Sequence, residues 1–127
     1  SSESELDAAF VTFVERGARA LLIADDPFFT SQRRQIVALA ARHRLPAIHY
    51  SRDFAAEGGL ITYGSDARHV ARDLGVYVGR VLNGARPADL PVMQPTLFEL
   101  IVNLKTAKTL GLTVPESIMI RADEVIE

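Results

Sequence analysis

The sequence predicts an α/β fold built in three layers around a mainly parallel sheet. Two observations carry that expectation. The run Ala20-Leu21-Leu22-Ile23-Ala24 is short, wholly apolar and followed by two acids, which suits a buried parallel strand better than a half-exposed one. Stretches with apolar residues at helical spacing alternate with such runs, and strand, helix and strand in this rhythm build right-handed crossovers and a parallel sheet.

Taken in order, residues 4–17 read as a helix. Leu6, Ala9, Phe10, Phe13 and Val14 recur at helical spacing, Ser4 with Asp7 forms a weak capping box, and Gly17 supplies the stop. The run 20–24 is the first strand, 25–30 a loop, and 31–44 a second helix with Ile36, Val37, Ala40 and Ala41 on its inner face. A second short strand spans 46–50. A helical turn over 52–57 then leads through Gly58-Gly59 to a third strand at 60–63. Ser65 opens a long helix over 66–83 that Gly84 closes, with Ala67, Val70, Ala71, Leu74, Val78 and Val81 in one stripe. Pro87, Pro91 and Pro95 make the next stretch an extended connector. A fourth strand follows at 97–102, Asn103 caps a short helix ending at Gly111, and Pro115 starts a last helical turn or two. Only four strands are visible, and the chain opens on a helix, so the sequence reads as a piece of something longer.

Size and composition narrow the function classes. A chain of 127 residues fits one domain able to bury most of its unfolded surface. The net charge of −2 gives no footprint for nucleic acid, which needs a basic stripe. No apolar run approaches the roughly 20 residues that span a bilayer, and the polar, acidic start Ser1-Ser2-Glu3-Ser4 does not look like a signal peptide. Cys is absent, which excludes disulfides and thiol catalysis but not any compartment.

In open parallel sheets ligands lie beyond the carboxyl ends of the strands. That rule selects Asp25, Asp26, Pro27, Phe28 and Phe29 after the first strand, and Tyr50, Ser51, Arg52 and Asp53 after the second. After the third it selects Tyr63, Gly64 and Ser65, with Thr62 at the strand end. Carboxylates, a guanidinium, hydroxyls and aromatic faces together suit a small polar or amphipathic molecule. Each group has a plainer reading. Asp25-Asp26 can start a turn and cap the next helix, and Phe28-Phe29 can pack beneath the loop. Tyr63 can end a strand, and Arg52 can pair with Asp53 or Glu57 on the surface.

Catalytic readings find less support. Asp25-Asp26 could hold Mg²⁺, as in a phosphoacceptor receiver domain, with Thr62 as the hydroxyl residue. No lysine occurs before Lys105, however, and that chemistry requires one. His43, His49 and His69 match no metal-ligand spacing, and neither a nucleophile elbow nor a glycine-rich phosphate loop is present. No cofactor and no catalytic residue is expected.

Two segments resemble a specific family. One is Gly59-Leu60-Ile61-Thr62-Tyr63-Gly64, running through a long helix into Val81-Leu82-Asn83-Gly84-Ala85-Arg86-Pro87-Ala88-Asp89-Leu90-Pro91-Val92. The other begins Gln94-Pro95-Thr96-Leu97-Phe98-Glu99 and carries Asn103-Leu104-Lys105-Thr106-Ala107-Lys108, then Leu110-Gly111-Leu112. These resemble the solute-binding proteins of ABC transporters, the group that includes tryptophan- and tyrosine-importing members. The ending, residues 121–127, also resembles the family's C-terminus. Departures are mild, with Thr62 where the family often has Ser and Leu97 where Lys is frequent.

The resemblance implies a type I periplasmic-binding-protein-like fold, of which this chain would be the C-terminal portion. Two lobes close on a solute and present it to a membrane permease, outside the cytoplasm. It further implies three parts: residues 1–58 as second-lobe core, 59–86 as a hinge crossing and a helix supporting the first lobe, and 87–127 as the return. By position, Asp25 or Asp26 would accept hydrogen bonds from the solute and Ser51 would hydrogen-bond to it. Arg52 would attract a carboxylate, and Phe28, Phe29 or Tyr50 would stack on an apolar part. Thr62 and Tyr63 would sit near the crossing. The solute would be an amino acid or small carboxylate. A sensor lobe of a signalling protein is the alternative use of the same architecture. The stripe of the long helix, deprived of the lobe it supports, is expected to make the isolated chain a homodimer.

Overall fold

The computed structural model describes residues 3–127, so the start at Ser1 and Ser2 lies outside the described residues. In chain order the elements are α1 (Glu3–Glu15), β1 (Leu21–Leu22), α2 (Pro27–Ser31), α3 (Arg33–Arg42), β2 (Ala47–His49), α4 (Arg52–Ala56), β3 (Ile61–Ser65) and α5 (Ala67–Leu82). A 3-10 turn (Pro87–Asp89) follows, then β4 (Phe98–Asn103), α6 (Leu104–Leu110), α7 (Glu116–Met119) and β5 (Glu124–Ile126).

The five strands form one sheet in sequence order. β1, β2 and β3 run parallel, in registers that set Leu22 beside Ile48 and His49 beside Thr62. β4 runs antiparallel to β3, from Ile61 opposite Val102 to Ser65 opposite Phe98, and β5 is parallel to β4. The mainly parallel α/β architecture therefore stands, with one antiparallel pair where the chain leaves the sheet along β3 and returns along β4.

Side chains alternate across a strand, so the registers sort the sheet into two faces. Ala47, His49, Thr62 and Ile101 share a face, and all four are buried. The main core cluster joins Leu6 and Phe10 of α1, Ile36, Leu39 and Ala40 of α3, Leu45, Ala47 of β2 and Phe54 of α4. Phe54 is fully buried and stacks on His49 with ring centroids 4.4 Å apart. Burying a phenylalanine in this way stabilises the fold by roughly 1.5–3 kcal/mol. On the opposite face Leu22, Ile48, Tyr63 and Phe98 are exposed.

Several local expectations are corrected. The first strand is not buried on both faces: only Leu21 and Leu22 pair, Leu22 is 79% exposed, and β1 is an edge strand beside a three-residue neighbour. Within residues 25–30 a short helix forms, because Asp26 caps it and Pro27 occupies its first turn, where a missing N–H costs nothing. Ser4 lies inside α1, and Asp7 accepts a hydrogen bond from Gln35 Nε2 at 2.9 Å. Phe13 and Val14 are exposed, while Leu6 and Phe10 face the core. Asp66, not Ser65, caps α5. A fifth strand is present at Glu124–Ile126, too short for alternation to reveal. Asn103 does cap α6, accepting from the Thr106 N–H at 3.0 Å, and Gly111 ends that helix at φ 71°.

Candidate functional site

The sheet delivers three chain segments to one end. β1 ends before Asp25, β2 before Tyr50 and β3 at Ser65, and α5 departs from the same end. Asp25, Tyr50, Ser51 and Ser65 line a hollow of about 330 Å³ whose other wall is Ala67, Val70, Ala71 and Leu74 of α5. A second hollow of about 140 Å³ shares Val70 and Leu74 and continues along α5 to Asp73, Tyr77, Met93, Gln94 and Pro95.

Local structure fixes the polar members. Ser51 caps α4 by accepting from the Asp53 N–H at 3.3 Å. The Tyr50 hydroxyl is held against the Thr30 hydroxyl of α2, and its ring meets Phe54 edge-on at 5.9 Å. Gly64 allows β3 to lie against the Tyr50 main chain, since a Cβ there would fall 1.7 Å from the Tyr50 carbonyl oxygen. Asp66, at the start of α5, accepts the Arg68 N–H at 2.9 Å, and that hydrogen bond leads the causes that lower its pKa. The Tyr77 hydroxyl donates to the Pro91 carbonyl and ties the connector to α5.

Of the residues selected from the sequence, Asp25, Tyr50 and Ser51 come together at the hollow. Asp26 is turned to the main chain, its Oδ1 accepting the Phe28 N–H at 2.7 Å. Phe28 and Phe29 pack against the core cluster, with their own rings 5.7 Å apart. Arg52 is engaged by two carboxylates: Nε and Nη2 donate to Glu99 at 3.0 and 2.7 Å, and Nη2 donates to Glu124 at 2.5 Å. Those hydrogen bonds, Glu99 first, push the guanidinium further above its ordinary range. Thr62 is 2% exposed, in the middle of the sheet. Tyr63 faces the other side, 56% exposed and stacked on Phe98.

The strand-end rule also picked out Ser65, which the sequence reading otherwise took only as the opening residue of the long helix. The contribution of Ala67, Val70, Ala71 and Leu74 escaped sequence reasoning because their apolar stripe reads as a packing face. Their role as a wall follows from where β3 aims the helix.

The family model described as ABC transporter substrate binding protein matches residues 2–126. No curated protein matches the sequence significantly. Among solved structures, the chain is similar to the ABC domain in complex with L-Trp from Streptococcus pneumonia, at 27% identity and a TM-score of 0.86, covering 98% of this chain and 43% of that one. It is similar to a conserved domain protein from Vibrio cholerae, at 21% identity and a TM-score of 0.88, covering 98% and 42%. It is also similar to the ligand-free, open structure of a substrate binding protein with adhesive properties from Clostridium difficile, at 21% identity and a TM-score of 0.69, covering 99% and 42%. The last two speak for the fold alone. The chain thus spans less than half the length of these proteins, and its α/β architecture is that of a periplasmic-binding-protein-like lobe. With the family model matching nearly every residue, the chain belongs to the ABC transporter substrate-binding protein family.

Proposed function

We propose that this chain supplies one wall of a solute-capturing cleft in the binding component of an ABC importer working outside the cytoplasm. The observation that carries the reading is the convergence of Asp25, Tyr50, Ser51 and Ser65 on a single hollow facing α5. Hydrogen-bonding groups at strand ends, set against an apolar wall, are what a site for a small amphipathic molecule needs. The complex of the similar Streptococcus pneumonia domain with L-Trp supports an amino acid or a comparable small molecule as the solute. The other wall then comes from polypeptide beyond these residues, and a membrane permease receives the loaded clamp. In this reading residues 1–58 are second-lobe core, 59–86 cross the hinge into α5, and 87–127 return through β4. The antiparallel pairing of β3 with β4, where the chain leaves the sheet and returns to it, supports that division.

A thermal-shift panel of amino acids and small carboxylates tests capture, because a ligand that binds only the folded state raises its melting temperature. Asp25→Ala and Tyr50→Ala are expected to weaken the response to the solute that binds. Wild-type affinity in both variants would remove the site assignment.

The isolated chain is further read as a homodimer. No residue of α5 is buried, with Leu74 62% and Leu82 81% exposed, and an apolar face of this kind favours association.

A further inference from the structure

The end of the sheet away from the hollow carries a different set of charges. There α1 gives way to β1 and α3 to β2, and Arg16, Arg19, Arg42 and Arg44 lie at those two helix ends, all exposed. The two turns are neighbours. The Leu21 N–H donates to the Pro46 carbonyl at 2.9 Å, so Arg19 and Arg44 each stand two residues ahead of that contact. The His43 ring stacks on Phe10 of α1, with centroids 6.0 Å apart. Glu15 is the one acid within residues 15–20 and 41–46. Among the described residues none of the four guanidiniums has an ion-pair or side-chain hydrogen-bond partner, whereas Arg33, Arg34 and Arg52 are paired. None of the four lines either hollow. Phe13 and Val14, exposed in the last turn of α1, add apolar surface beside Arg16.

Arg44 stands where the fold would favour another residue. Both helices close with the same pair of main-chain hydrogen bonds: Gly17 to Val14 and Ala18 to Phe13 in α1, Arg44 to Ala41 and Leu45 to Ala40 in α3. The residue at the turn is left-handed in both, at φ 75° for Gly17 and 53° for Arg44. Glycine takes that conformation freely, while the Cβ of an arginine crowds the carbonyl that follows. Arg44 alone among the described non-glycine residues has a positive φ, and its guanidinium gains no polar partner in return.

We propose that this end of the molecule docks on an anionic phospholipid bilayer. The guanidinium fork matches phosphate oxygens in pairs, and a plane of headgroup phosphates can engage four separated arginines together. Apolar side chains beside them suit the boundary between headgroups and acyl chains. The sign of charge fits at this end only. Asp25, Asp26 and Asp66 stand at the other, where Arg52 is already held by Glu99 and Glu124. On the capture reading, from which the extracytoplasmic setting comes, a clamp docked this way waits at the bilayer with its hollow open to solution.

Flotation of the chain with vesicles of phosphatidylcholine alone, and of equal parts phosphatidylcholine and phosphatidylglycerol, tests this. Binding is expected to the anionic vesicles and at least about tenfold weaker to the neutral ones. It should fade between about 0.01 M and about 1 M salt, as the Debye length falls from roughly 30 Å to roughly 3 Å. Arg44→Gly should lower the affinity about fivefold, the scale of one basic residue at a charged surface, without lowering the melting temperature. Arg16→Gln and Arg42→Gln together should lower it about 25-fold. Arg34→Gln, which removes a charge already paired with Glu57, should leave it as it is. Equal binding to both kinds of vesicle, or equal losses in Arg34→Gln and Arg44→Gly, would overturn the proposal. So would displacement by millimolar inorganic phosphate beyond that by chloride at equal ionic strength, the mark of a single-anion site. Binding to poly-L-glutamate but not to the vesicles would point to an acidic protein instead. The solute panel is read separately: solute binding without vesicle binding removes the docking surface alone, and vesicle binding without any solute removes capture alone.

Discussion

His49 Nδ1 is buried with no hydrogen-bond partner, and the ring is held between Phe54 and the close approach of Gly59. The small cavity beside it is lined by Val37, Ala40, Leu45, Leu60, Thr106 and other residues that do not ionise. An imidazolium there would lose its hydration and gain no counter-charge, so burial lowers the pKa from 6.5 to about 4. The unfolded chain takes up a proton as pH falls through 6.5, whereas the folded chain resists until about 4. The contribution is therefore complete above pH 6.5 and is lost as pH falls toward 4, about 3 kcal/mol in all. Urea unfolding of wild type and His49→Leu at pH 7 and pH 4.5 checks this: wild type should lose more stability on acidification than the variant, and equal losses would refute it. The sequence reading could not reveal the burial of His49. That follows from the register placing it beside Thr62, under α4. The capping role of Asn103, by contrast, was legible because a cap is written in adjacent residues.

At the scale of elements, local signals sufficed wherever the structure is local. The long helix, the connector with its three prolines and the strand before Asn103 follow from periodicity, proline and capping chemistry. What depends on partners did not. β5 is three residues whose strand character comes from pairing with β4, and the pairing of Arg52 with Glu99 and Glu124 spans 47 and 72 positions of sequence. Asp53 inside α4 and Glu57 just after it were the nearer candidates for Arg52, but Glu57 is taken by Arg33 and Arg34. α5 carries the clearest consequence of an element without a partner. Its apolar stripe should hold two chains together, and light scattering at tens of micromolar, a concentration at which modest dimers form, should give twice the monomer mass. Val78→Lys, placed in the middle of the stripe, should return the mass to that of one chain. A monomeric wild type would remove the dimer reading.

For the molecule as a whole, the sheet gathers residues distant in sequence at one end, and a helix with no buried residue closes the hollow there. The strand-end rule selected all four polar residues that line the hollow because parallel strands point their carboxyl ends the same way. It could not separate residues that face the hollow from those that turn into the core, as Phe28 and Phe29 do, or that are claimed by partners of their own, as Arg52 is. Capture of a small solute in this hollow is tested most directly by amide-resolved NMR of the chain, titrated with the best solute from the thermal-shift panel. The account predicts saturable shifts concentrated at Asp25, Tyr50, Ser51, Ser65, Val70 and Leu74. Shifts concentrated instead in the groove that Leu21, Ile48 and Ile61 line together with Leu112, Val114 and Ile118, or no shifts at all, would contradict it.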